Sequence, residues 1–178
     1  MRAWLLTWTT YGTWLPGDVR GSVSRVREGQ GPRQYHNAPG SPYDGPMPGL
    51  RTAAEAALKG RPILLNSNQA ECVLSQLRET AAYRHWRLLA AAVMRNHVHL
   101  VVVVDDAAKS ADLLRTFKSY AGRALNADNS KPIGGRWWTT SASRRSLPDE
   151  RAVAAAVRYV REQPGALAVY AEASTSRE

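Results

Sequence analysis

Cysteine is almost missing. Cys72 is the single one in 178 residues, so no intramolecular disulfide can form and packing must hold the fold. Such usage fits a reducing compartment, and a soluble cytoplasmic protein is expected. Long apolar runs are missing too. A membrane-spanning helix needs about 20 apolar residues, and the longest valine run is only Val101-Val102-Val103-Val104. The apolar stretch from Trp4 to Trp8 is interrupted by threonine and is too short for the core of a secretion signal. Lysine is scarce, with Lys59, Lys109, Lys118 and Lys131 the only four among 24 basic residues. Histidine is just as scarce: His36, His85, His97 and His99.

What is present is arginine. The net charge is +9, and most of the cations carry the planar guanidinium fork that suits phosphate and stacks on bases. A surplus of this kind favours a polyanionic partner, nucleic acid above all, against the plain alternative of a solubilising surface. Hydrophobic residues make up 44% of the chain, enough to build a core. The length fits one domain over residues 1–178.

Along the chain, Ala3–Thr10 alternates as a first strand. Residues 12–62 read as an irregular insert, crowded with Gly and Pro and carrying Arg20, Arg25, Arg27, Arg33 and the lone loop histidine His36. Arg51–Lys59 within it has the composition of one or two helical turns. Ser67 is placed to cap a helix over Asn68–His85, in which Val73, Leu77 and Ala81 keep helical spacing. Two strands follow, Arg87–Met94 and Asn96–Val104, joined tightly as a hairpin. A second helix spans Ser110–Asn126, with Leu113, Phe117 and Ala121 on its apolar stripe and Tyr120 at the edge. Lys131–Thr140 suggests a turn and a short strand containing Trp137 and Trp138. Pro148-Asp149-Glu150 opens a third helix that stops before Pro164. Residues 171–178 read as a flexible tail. The expected fold is α+β: a ferredoxin-like split βαβ antiparallel sheet with helices packed on it, a long N-terminal insert and a C-terminal helix.

The chemistry centres on Asn96-His97-Val98-His99. Strand side chains alternate, so His97 and His99 share a face with Val101 and Val103, while Val98, Leu100 and Val102 share the other. Two imidazoles so placed suit one cation. A hydrolase with two His-X-Thr/Ser motifs falls well behind, because neither His36 nor His85 begins a second motif. A histidine-triad hydrolase would need a third alternating histidine where Val101 stands.

The block Met94-Arg95-Asn96-His97-Val98-His99-Leu100-Val101-Val102, with Phe117-Lys118-Ser119-Tyr120 on the next helix, resembles the single-tyrosine, His-hydrophobic-His transposases of the IS200/IS605 type, including their palindrome-associated relatives. Leu6-Thr7-Trp8-Thr9-Thr10-Tyr11-Gly12 resembles their first strand. Arg136-Trp137-Trp138, and Asp149-Glu150 ahead of Val157-Arg158-Tyr159-Val160, resemble their C-terminal portion. The resemblance implies an enzyme that nicks and rejoins single-stranded or hairpin DNA. Tyr120 would be the nucleophile forming a 5′-phosphotyrosine, and His97 and His99 would be ligands of Mg²⁺ or Mn²⁺. Lys118, Arg123, Arg136, Trp137 and Trp138 would contact the DNA. Such relatives act as homodimers or as monomers, and both states stay open. One departure stands out. In insertion-sequence relatives a glutamine one turn after the tyrosine completes the metal site, and one turn after Tyr120 is Ala124. Asn126, Asp128, Asp105, Asp106 or water would have to substitute. The competing expectation is a nucleic-acid-binding module of the same fold with little or no catalysis.

Overall fold

The structure is a computed structural model describing residues 1–20, 46–128, 131–132, 134–140 and 142–173. His36, Arg25, Arg27, Arg33 and most of the expected tail lie outside the described residues. In chain order the elements are β1 (Arg2–Thr9), α1 (Pro48–Ala56), α2 (Ser67–Tyr83), β2 (Arg87–Val93) and β3 (His97–Val104). They continue with α3 (Ser110–Asp128), β4 (Ser143–Leu147), α4 (Glu150–Arg161) and β5 (Ala168–Ala171). They fall into two compact units, Met1–Tyr11 with Ile63–Glu178, and Gly12–Pro62.

The larger unit is an α+β layer built on one antiparallel sheet in the order β4-β1-β3-β2-β5. The first four strands have the split βαβ order, with β3 inserted between β1 and β2. Both neighbours of β3 hydrogen-bond to it along its length, which is why it tolerates four consecutive valines. Side chains divide cleanly between the faces. Val98, Leu100, Val102 and Val104 join Leu6, Trp8, Leu77, Phe117 and Leu125 in a core under α2 and α3. Val101 joins Ala3, Ala90, Ala92, Leu147, Ala156 and Val160 in a second, smaller core under α4. A register shift between Leu88 and Ala90 lets β2 serve both, sending Leu88, Ala91 and Val93 to one side and Ala90 and Ala92 to the other.

Three boundaries differ from expectation, each for a local reason. Asn66, not Ser67, caps α2: its side chain accepts from Gln69 N at 2.8 Å, and Gln69 Oε1 accepts from Asn66 N at 3.0 Å. This reciprocal pair satisfies more of the orphan amides than a lone serine would. The strand expected around Trp137-Trp138 is a single bridge from Trp138 to Thr10. The full fourth strand comes later, as Ser143–Leu147. Among the described residues it pairs on one side only, and it is exposed except at Leu147, so it carries no apolar alternation to read. Ala168–Ala171 adds a fifth strand against β2, where the sequence suggests only the approach to a tail.

The unit Gly12–Pro62 contains α1 and a buried ion-pair hub at Asp18. The Arg20 guanidinium meets the Asp18 carboxylate in a two-point grip at 2.8 Å on each oxygen, and Arg20 N donates to it at 3.0 Å. These bonds, with Arg51 at 3.9 Å, hold the carboxyl far below the usual carboxylate range despite its burial. Gly17 has φ +81, and a Cβ there would fall against the Met47 carbonyl oxygen and 2.9 Å from Arg51 N. Only glycine fits that approach.

Candidate active site on the histidine strand

β3 opens with His97, opposite Thr9 of β1, and His99 follows opposite Thr7 and beside Ala92 of β2. The alternation puts both imidazoles on the α4 face. Their ring centroids lie 4.7 Å apart, edge to face. Thr7 Oγ1 is 2.7 Å from His99 Nδ1, and Asn96 Oδ1 is 2.7 Å from His97 Nδ1. A carboxamide oxygen only accepts, so His97 Nδ1 carries a proton, and in the neutral ring Nε2 is the atom that can ligate. Hydrogen bonds of this kind set the tautomer of metal-binding histidines. His99 is buried at 6% exposure. Desolvation, helped by the charge of His97, pushes its pKa down to about 4, so the ring is neutral and able to ligate at ordinary pH.

A tyrosine does stand beside these rings, and it is Tyr159. Asp149 caps α4 by accepting from Ala152 N at 2.7 Å, and the helix lays Ala156 and Val160 onto the sheet. Tyr159 precedes Val160 and sits at the flank of that stripe, with its ring 5.4 Å from that of His99. It is half exposed, so its edge reaches solvent while its ring packs on imidazole. Four residues on, Gln163 donates from Nε2 to the Tyr159 carbonyl at 3.1 Å.

Tyr120 is not brought to the histidines. It lies on α3, whose buried stripe of Leu113, Phe117, Ala121 and Leu125 enters the opposite face of the sheet. The sheet separates it from His97 and His99, and the Arg123 guanidinium stacks 5.3 Å above its ring. The substitutes for a third ligand fare no better. Asn126 accepts from Trp137 Nε1 at 2.8 Å on the α3 side. Asp105 and Asp106 follow the far end of β3, at least roughly 24 Å from His97 at the rise of a strand. Asp106 is engaged there by the N-terminal amine at 3.1 Å and Arg2 at 3.4 Å. The side chain of Asp128 lies outside what is described. Among the described residues, no three His, Cys, Asp or Glu side chains converge, so a third ligand drawn from these residues would be a carboxamide or hydroxyl oxygen.

The tryptophans are a correction. Trp137 and Trp138 are 6% and 8% exposed and belong to the α2–α3 core, so no base can stack on them. Trp138 donates to the Lys118 carbonyl at 2.9 Å and meets Trp8 edge to face at 6.1 Å. Gly122 of α3 gives them room, its hydrogen lying where a Cβ would be 3.4 Å from Trp138 Nε1. Lys118 turns inward too: Nζ donates to the Thr139 and Thr140 carbonyls, and desolvation lowers its pKa to about 8. Arg123 and Arg136 are exposed.

The signal that distinguishes the two tyrosines is already in the sequence. A glutamine one turn past the tyrosine is missing after Tyr120, where Ala124 stands, and present after Tyr159, as Gln163.

No helix among the described residues is long and apolar enough to cross a membrane. No curated protein matches the chain significantly. Among the solved structures it resembles are two transposases. A transposase associated with repetitive extragenic palindromes, bound to a hairpin of that repeat, has 10% identity and a TM-score of 0.49 over 90% of this chain and 64% of that one. A candidate transposase from Deinococcus radiodurans R1 has 18% identity and a TM-score of 0.46 over 90% and 89%. The chain thus spans less than two thirds of the first. Residues 56–163, more than half of the chain, match the family described as "Transposase IS200 like", and the protein belongs to that family of transposases.

Proposed function

We propose that this protein is a metal-dependent, single-strand-specific DNA transposase and endonuclease acting on hairpin-associated DNA, with Tyr159 as its nucleophile in place of Tyr120. The observation that carries the reading is the packing of Tyr159 against His99, on the one sheet face that also holds His97. His97, His99 and the Gln163 amide oxygen would hold Mg²⁺ or Mn²⁺. The two imidazoles suit Mn²⁺ at least as well as Mg²⁺. Bound there, the ion would act as a Lewis acid on a non-bridging phosphate oxygen.

The Tyr159 hydroxyl attacks the phosphorus and loses its proton to solvent. The bond from phosphorus to the 3′ oxygen breaks, that oxygen takes up a proton, and the strand is held as a 5′-phosphotyrosine. A 3′-hydroxyl of a second DNA end then attacks the same phosphorus and releases Tyr159, so joining needs no nucleotide cofactor. Thr7 holds His99 in place from β1, and the neutral ring adds no positive charge of its own. Arg123 and Arg136 remain surface cations for DNA, whereas Lys118 is committed to carbonyl oxygens.

Incubation with Mn²⁺ and labelled single-stranded hairpin DNA from the protein's own flanking sequence tests this. A covalent protein–DNA adduct forms with wild type and with Tyr120→Phe, and disappears in Tyr159→Phe. Loss of the adduct in Tyr120→Phe instead would return the nucleophile to α3. Absence of any adduct in wild type would leave a nucleic-acid-binding module.

A further inference from the structure

α4 covers chiefly the β2–β3 half of its face and meets β4 through Leu147. Among the described residues of this unit, the β1–β4 half of that face is only partly covered nearer the histidine end. Its floor reads across in register. His99 pairs with Thr7, which pairs with Ser143, and one step along Val101 pairs with Leu5, which pairs with Arg145. Leu5 and Thr7 are half-buried, and Ser143 and Arg145 are exposed. The strip is two strands wide, about 10 Å, bounded by β3 on one side and by β4, the last strand of the sheet among the described residues, on the other. That width takes one nucleic-acid strand and is too narrow for a duplex. No described carboxylate pairs with Arg145. Arg144, its neighbour, alternates to the opposite face with Leu6.

We infer that this strip is a track for single-stranded DNA leading away from the histidine pair, on which Arg145 grips a backbone phosphate a few nucleotides from the one bound there. Two strands across and two residues along, the Arg145 Cα lies about 12 Å from that of His99. A few nucleotides of extended strand cover that span. The guanidinium fork at the far end supplies the charge that a backbone phosphate requires, and the threonine and serine hydroxyls between are uncharged donors that read no base. The direction of the track rests on the catalytic reading above. The binding itself does not.

Fluorescence anisotropy with labelled oligothymidylate in EDTA measures the track without metal or tyrosine chemistry. Arg145→Ala weakens binding roughly fivefold and lowers the slope of log affinity against log salt by about 0.7, the share of one phosphate contact on a single strand. Arg145→Lys keeps the slope. Arg144→Ala, equally exposed on the same strand but facing the other way, changes affinity less than twofold. Equal losses in the two alanine variants, no loss in Arg145→Ala, or no binding by wild type overturns the proposal. An intact Arg145 effect in a protein that forms no adduct would sink only the catalytic reading. An adduct without an Arg145 effect would sink only the track.

Discussion

α3 and α4 are near-twins as sequences and opposites in place. Each is amphipathic, and each carries a tyrosine beside its buried stripe, Tyr120 next to Ala121 and Tyr159 next to Val160. They lie on opposite faces of one sheet. The face under α2 and α3 is filled by Trp8, Phe117, Leu77 and the even-numbered aliphatics of β3, all buried. The face under α4 is floored with alanine, and at one end it opens onto two imidazoles. One strand therefore serves a packing side and a chemical side. Under the proposed function, the tyrosine that acts is the one beside the imidazoles. A side chain at the margin of a stripe takes its meaning from what the stripe packs against.

The largest test of that contrast exchanges the tyrosines' roles. Tyr159→Phe should cut adduct formation by roughly 10³-fold or more, as loss of a nucleophile does, while Tyr120→Phe stays within a few-fold of wild type; quantified adduct on denaturing gels decides. Next comes the packing side. Trp138→Ala should lower the unfolding free energy by about 3–5 kcal/mol, read from urea unfolding, because it empties core volume beside Trp8. A DNA-stacking role would instead lower affinity and leave stability alone. In the unit Gly12–Pro62, Asp18→Asn should cost about 1.5–3 kcal/mol through the lost charged hydrogen bonds. Its carboxyl is depressed in the folded state, so that stabilisation is present above pH about 4 and fades as acid protonates it. Faster cleavage of this unit by limited proteolysis, in the variant at neutral pH and in wild type below pH 4, reports both. The smallest effect concerns Lys118. Its folded pKa, about 8, lies below its unfolded value, so the unfolded chain binds more protons between them. Wild-type stability should rise with pH from about 8 to 10 relative to Lys118→Met; parallel urea midpoints across that range would remove the assignment.

Much of this was legible before any coordinates. The alternation in β1 and β3, the spacing of Val73, Leu77 and Ala81, and the order of elements led to the split βαβ sheet with the histidine strand inside it. The family block around His97 and His99 was legible too, and so was the departure at Ala124. Tyr159 lies in a segment that resembles the family and is followed by Gln163, yet the Phe117-Lys118-Ser119-Tyr120 block on the helix after the histidine strand points to Tyr120. The apolar face of β3 held the decisive hint. Val98, Leu100 and Val102 demand the heavier helix cover, and the two crossover helices of a split βαβ unit supply it together, leaving the histidine face to the later helix. Trp137-Trp138 and β4 are hard to place from the sequence for a related reason. Tryptophan pairs look alike whether they face a core or a ligand, and an exposed edge strand such as Ser143–Leu147 carries no apolar period.

The sequence by itself determined that His97 and His99 share a face, because strand periodicity is a local property of the backbone. It also determined which residues of each helix seek burial. Only the tertiary structure decided which helix covers which face, since that depends on strand order and crossover between segments dozens of residues apart. With it came the placing of Tyr159 beside His99, the removal of Trp137 and Trp138 from the surface, and the register that aligns Arg145 with the histidine face.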